Sequence, residues 1–214
     1  MGRGPVGEPA IIKYVNNSLA SVDDVSNTDG AMVLIKTLTA SSSANLSFVD
    51  GTSDVVLDNT YPIYKFVYTS IHPSSNGAEF QWQANAAGGS GYNETHTSTH
   101  FQSAHNEGDT DTGLSYTTSM DSAQGTGGII LNTDVGADND QSCSGDLWIF
   151  NPSSTTFVKH FMSRSNRSDA GDYSVDNFHA GYINATAAID EVQFSFNAGN
   201  IDAGTIKLYG IKDS

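Results

Sequence analysis

Between Ile189 and Ile211 apolar and polar side chains alternate with a period of two, a pattern that suits a strand and not a helix. Val192, Phe194 and Phe196 interleave with Glu191, Gln193 and Ser195. Asn197-Ala198-Gly199-Asn200 and Asp202-Ala203-Gly204 interrupt, and then Ile206 and Leu208 interleave with Thr205, Lys207 and Tyr209. Successive strand side chains point to opposite faces, so each run has one dry and one wet face. Two such runs around a Gly/Asn turn predict a β-hairpin. A lone hairpin is marginal in water, so its dry face must lie on another sheet, and the last strand closes a sandwich.

Upstream, the same period recurs. Met32–Thr39 reads as the first long strand, with short strands at 46–49 and 55–57 around the tight Asp50-Gly51 turn. In the run 61–72, Tyr64, Phe66 and Tyr68 share one face, while Ile63, Lys65, Val67 and Ile71 share the other. Phe80, Trp82 and Ala84 alternate with Glu79, Gln81 and Gln83, which makes a one-sided strand. Leu147–Phe150 is wholly apolar and reads as a central strand, with 157–162 as its hairpin partner and further strands at 129–131 and 178–183. Residues 102–128 and 164–176 hold few apolar anchors and read as long surface loops. The count is about ten strands, which predicts an all-β fold: a single jelly-roll-like antiparallel β-sandwich over residues 31–214. Residues 1–30 read as an N-terminal docking arm. Within it Ile11, Ile12, Val15 and Leu19 recur at helical spacing behind Glu8-Pro9, which predicts a short helix or an arm held by a neighbouring subunit.

The segment Ile189–Ile211, together with 146–161 and Asn45-Leu46-Ser47-Phe48-Val49-Asp50-Gly51, resembles virion structural proteins of marine tailed bacteriophages, which are tail-fibre-like. The resemblance runs over roughly residues 32–211 and rests on structural motifs without catalytic residues. It implies a β-sandwich on the outside of the particle and does not say where. A tail reading predicts partners among other virion proteins and further copies of itself, as a homotrimer or repeated copies, and the lack of a signal-peptide core points to synthesis in the host cytoplasm.

Composition narrows the function. Twenty-four acidic against nine basic side chains give a formal charge of −15, which repels nucleic acid and anionic lipid. Cys143 stands alone, so neither an intrachain disulfide nor a thiolate zinc site can form. No stretch approaches the roughly 18 apolar residues of a membrane helix, and the N-terminus lacks the apolar core of a signal peptide. Neither a Gly-x-Ser-x-Gly elbow nor a Walker loop is present, and nothing marks two carboxylates as a facing pair. The expectation is a non-enzymatic protein.

Candidate contact residues come from the polar loops. Tyr92, His96, His100, Phe101, Tyr116 and Tyr173 lie in or beside Gly/Ser/Asn/Asp-rich segments, the mixture of flat rings and adaptable hydrogen-bonding groups that recognises sugars and protein surfaces. His96 and His100 lie on one strand face, but positions i and i+4 are about 13 Å apart there, too far to share one ion unaided. Glu107, Asp109 and Asp111 alternate in a Gly-containing loop, a spacing of oxygens that would suit a structural Ca²⁺, with a solvated acidic turn as the alternative. No other cofactor is implied. The leading expectation is a tail-fibre or adhesin-like module, attached by its arm and presenting loops 86–125 and 164–177 to a host-surface glycan. A capsid decoration (cement) protein is the alternative, and a carbohydrate-binding or glycoside-hydrolase module is a third reading.

Overall fold

The computed structural model describes residues 31–213 throughout and, before them, the backbone of residues 12–15 and 18–22. The chain divides into two compact units, 1–31 and 32–214. In the first, β1 (Ile12–Val15) pairs antiparallel with β2 (Ser18–Val22). This corrects the helical reading of the arm: Ile12, Val15 and Leu19 lie on strands, and Ile11 falls outside the described residues. The pairing of Val15 with Ser18 shows that the two runs turn back on each other, which a continuous helix cannot do.

The second unit is an all-β sandwich with thirteen strands: β3 (Met32–Thr39), β4 (Leu46–Val49), β5 (Ile63–Pro73), β6 (Ala78–Ala86), β7 (His96–Asn106), β8 (Thr112–Tyr116), β9 (Ser122–Gly125), β10 (Ile129–Val135), β11 (Cys143–Phe150), β12 (Lys159–Ser168), β13 (Tyr173–Ile183), β14 (Ile189–Phe196) and β15 (Ile201–Ile211). A four-stranded sheet, β10-β6-β14-β4, packs on a nine-stranded one, β3-β15-β5-β11-β12-β13-β7-β8, in which β9 also pairs with β7. With β7–β9 and β12–β13 set aside, the pairing is nested. β3 joins β15, β4 joins β14, β5 joins β11 and β6 joins β10. A long hairpin folded over on itself in this way is a jelly roll. The two insertions meet each other and extend the large sheet beyond β11: β12 on β11, β13 on β12, β7 on β13, and β8 and β9 end to end along the far edge of β7.

The closing segment is therefore not a hairpin. β14 pairs with β4 and β6 in the small sheet, while β15 pairs with β3 and β5 in the large one. The two runs face each other across the core, so the alternation was read correctly but its partner was not. One dry face looks the same whether a strand pairs beside its neighbour or crosses over it.

Between the sheets the core is aromatic. Phe48 and Phe194 from the small sheet meet Phe66 at centroid distances of 5.2 and 5.4 Å, Phe80 meets Tyr68 at 5.3 Å, and Trp82 stands edge-on to Phe161 at 5.1 Å. All of these rings are at most 1% exposed, and burial on this scale is the main stabilising term in such a domain. Ile71 joins this face instead of the opposite one, because Ser70 (φ +52°) inserts a bulge that resets the alternation. Gly204 lies opposite the bulge with φ +116°, where a Cβ would stand 2.6 Å from the Ser70 carbonyl oxygen. Only glycine fits there.

Three other sequence expectations change. Residues 102–128 contain the end of β7 together with β8 and β9, and 164–176 contain the end of β12 and the start of β13. These strands were illegible because β8 is exposed on every residue and the inward positions of β12 are Ser163, Ser165 and Arg167. Backbone pairing leaves no apolar alternation behind. Val55 and Leu57 are buried, as their apolarity implied, but in a loop and not in a strand.

Lys159 opens β12 with its side chain fully buried. Its ammonium donates to the carbonyls of Ala185 (3.1 Å), Thr186 (2.9 Å) and Ala187, and so holds the β13–β14 connection where the chain passes from the large sheet to the small one. Burial lowers its pKa. Lys159→Met should remove about 3 kcal/mol of stability by leaving these carbonyls unpartnered; urea denaturation measures it, and a loss under ~0.5 kcal/mol would show that the ammonium holds nothing.

Candidate functional site

The extended part of the large sheet has two faces of opposite character. On β12 the odd-numbered residues are buried and the even-numbered ones exposed, so register alone assigns each neighbour to a face. Across the outer face, Arg164, Phe178, Phe101 and Tyr116 are successive cross-strand partners on β12, β13, β7 and β8. Phe101 and Phe178 stack at 4.7 Å with their planes 3° apart, which is the natural spacing of adjacent strands. The Arg164 guanidinium lies 4.8 Å over the Phe178 ring and is held there by two bonds to Asp176, 3.2 and 2.9 Å. Tyr116 donates to Asp121 (2.6 Å), and that carboxylate raises the phenol pKa. The next row runs Lys65, Trp148, Met162, Ala180, Thr99, with the Lys65 ammonium 4.3 Å over the Trp148 ring and 2.9 Å from Asp146. A third pairs His160, Tyr182 and Thr97. Phe101, Tyr116 and Met162 are each about half exposed (46, 54 and 55%), and Leu114 beside them is 77% exposed. These side chains form a contiguous, largely apolar and partly exposed patch on the sheet face.

Behind this platform the inner face turns polar. Beyond Phe161 the inward residues are Ser163, Ser165 and Arg167 on β12, Asn177 and His179 on β13, and His96, Ser98 and His100 on β7, all buried. They meet β10, the edge of the small sheet. Ser165 donates to the Leu131 carbonyl (3.3 Å) or Asn132 Oδ1 (3.0 Å), Asn177 donates to Asn132 Oδ1 (3.0 Å), and Arg167 donates to Asn177 Oδ1 (3.1 Å). His179 Nδ1 lies 2.7 Å from the Ile130 carbonyl and must donate to it, since a carbonyl only accepts. Side-chain donors thus cap an edge strand that would otherwise leave its carbonyls bare.

That tautomer leaves His179 Nε2 as a buried acceptor. Among the described residues it has no hydrogen-bond partner, and neither do the two ring nitrogens of His100, Asn132 Nδ2 or Arg167 Nε. The two imidazoles stand edge to face at 5.5 Å. Burial pushes both down from the ordinary 6.5 to about 4, helped for His179 by His100 and for His100 by Arg167.

Of the six aromatic and histidine candidates, the structure brings Phe101 and Tyr116 together on the platform. His96 and His100 point inward, the first with Nδ1 3.2 Å from the Glu94 carbonyl. Tyr173 donates to Asp111 (3.0 Å) near the start of β13. Tyr92 lies by Ser47 and Glu191 of the small sheet, its phenol pKa raised first by burial and then by Glu191, while its carbonyl accepts from Gln83 (2.7 Å). Asp109 pairs with His105 (3.1 Å) and Asp111 with Tyr173, so Glu107, Asp109 and Asp111 do not converge. Among the described residues no three His, Cys, Asp or Glu side chains gather as metal ligands. Phe178, Arg164, Met162, His160, Tyr182 and Ala180 were not found from sequence. The alternation through 178–183 was the available signal, but which face looks outward is set by partners far away in the chain. Comparison with family models, curated proteins and solved structures finds no significant match to this chain.

A histidine whose folded-state pKa lies below its unfolded value binds fewer protons folded than unfolded between the two. Its stability contribution is complete above pH 6.5 and is lost as pH falls towards 4. Unfolding free energy should therefore decline through that window, and a His100→Asn/His179→Asn variant should show a flatter decline in urea titrations at matched pH. An unchanged slope would mean that the pair does not govern acid sensitivity.

Proposed function

We propose that this chain is a non-catalytic attachment module of tail-fibre type, carried on a bacteriophage particle and recognising a glycan on the host surface through the outer face of its extended large sheet. The observation that carries this reading is the outward-facing row Arg164–Phe178–Phe101–Tyr116, in which Phe178 is half-buried and the Phe101 and Phe178 rings are stacked 4.7 Å apart. Rings held rigidly on strands, with their exposed edges and the outer face of Phe101, offer a sugar's C–H groups a preformed apolar surface at little entropic cost. The recognition surface in this reading is the sheet face and not the loop tips expected from sequence. Carriage on a virion is supported by the resemblance of the closing segment, and repeated copies would multiply a modest single-site affinity.

A non-catalytic role is supported by the cleft beside this row. Its lining of Thr97, Ser98, Thr99, Phe150, His160, Phe161, Met162, Ala180, Gly181 and Tyr182 includes no carboxylate, whereas glycoside hydrolysis ordinarily needs two.

Binding to a glycan array and to purified bacterial envelope polysaccharides tests the reading. A bound glycan should be released intact, and Phe101→Ala and Phe178→Ala should each weaken binding about tenfold, or ~1.4 kcal/mol, with an unchanged melting temperature. Unaltered binding in both variants, or cleavage of the glycan, would contradict it.

A further inference from the structure

The relief of the same face specifies what kind of glycan it would take. Two adjoining depressions, of about 490 and 130 Å³, share Thr99, Met162 and Ala180 as a common border, and together they make up the groove. The cause is a size alternation on β13: the outward positions run Phe178, Ala180, Tyr182, which is large, small, large. Residues four apart on a strand are about 13 Å apart. Two aromatic ridges therefore stand on either side of a row that dips to a single methyl group at Ala180, between Met162 and Thr99. One ridge is the Phe178–Phe101 stack; the other is Tyr182, whose ring meets His160 at 6.1 Å. That span is longer than one pyranose ring.

The groove is also almost without charge. Its lining includes no carboxylate and no lysine or arginine. Arg164, at one end, is already committed to Asp176 and the Phe178 ring. With −15 on the whole chain, an anionic saccharide would be repelled on approach and would meet no compensating cation in the groove.

We infer that the groove binds a neutral oligosaccharide of at least two sugar residues, seated over Ala180 between the two ridges. This rests on the glycan reading above. The Phe178–Phe101 stack bounds one side, and the polar edges of His160 and Tyr182 bound the other.

The test is calorimetric titration of the full chain with neutral gluco-, galacto-, manno- and N-acetylglucosamine oligosaccharides of one to six units, alongside alginate oligomers as the anionic series. One neutral series should bind, with affinity rising at least tenfold from the monosaccharide to the disaccharide or trisaccharide and then levelling off. Ala180→Trp, which fills the floor, should weaken that binding at least tenfold, and Ala180→Ser should leave it within about twofold. Should Ala180→Trp fail to fold, Met162→Arg at the exposed wall provides the same readout. Binding of the alginate series alone, affinity independent of chain length, or full binding in the filled groove would overturn this inference while leaving a glycan-binding module in place. If no neutral or anionic saccharide and no envelope polysaccharide binds, the glycan reading itself fails, and this inference with it.

Discussion

A nine-stranded sheet packed on a four-stranded one cannot be dry over its whole inner face, and much of this molecule follows from that mismatch. Where the small sheet lies over β5 and β11, the inward residues are Tyr64, Phe66, Tyr68, Leu147 and Ile149, with Phe48, Phe80 and Phe194 against them. Further along, the small-sheet strand in reach is the edge strand β10, and apart from Val175 and Ile183 the buried inward residues on β12, β13 and β7 become Ser, Asn, Arg and His. The change falls along β12, at Phe161. That ring still packs on Trp82 but already touches His179 at 5.6 Å. Three of these polar residues, Ser165, Asn177 and His179, bond across the layers to Ile130, Leu131 or Asn132, and Ser163, Arg167 and His96 bond to other protein groups, which lowers the cost of burying them.

The outer face is shaped by the same extension. A jelly roll alone would end the large sheet at β11, leaving Arg164, Phe178, Phe101 and Tyr116 without a common surface. The inserted strands β12–β13 and β7–β9 come from two separate places in the chain, and their pairing through β13 and β7 sets those side chains in one row. Recognition by a sheet face, as proposed, has a practical advantage over recognition by loops: the Phe178 and Phe101 positions are fixed by strand pairing on both sides and Tyr116 by pairing on one, so little ordering entropy remains to be lost on binding.

How much of this was readable depended on whether a residue's role is set locally. The faces of Tyr64–Phe66–Tyr68 and of Phe80–Trp82–Ala84 were legible because apolar side chains alternating with polar ones point to one buried side. β8, β9 and the far half of β12 were not, since edge strands and strands with polar inward residues write no hydrophobic period. The partnership of β14 and β15 was misread for a related reason: alternation identifies a strand but not its neighbour. At the site, Phe101 and Tyr116 stood out as aromatics amid polar sequence. Phe178 and Ala180 did not, because their meaning depends on a register with β7 that no local pattern encodes. His100 looked like a surface contact and is instead buried, its polarity explained only once β10 is seen to need capping.

The central claim is a division of labour, in which the jelly roll supplies stability and the extension, with its polar inner face, carries the outer surface proposed for recognition. Native-state amide hydrogen exchange resolved by residue tests this most directly. The account predicts that amides of β5, β6, β14 and β15 exchange only through global unfolding, whereas those of β7, β13 and the far half of β12 exchange earlier as one cooperative unit. Equal protection across all nine strands of the large sheet would contradict it.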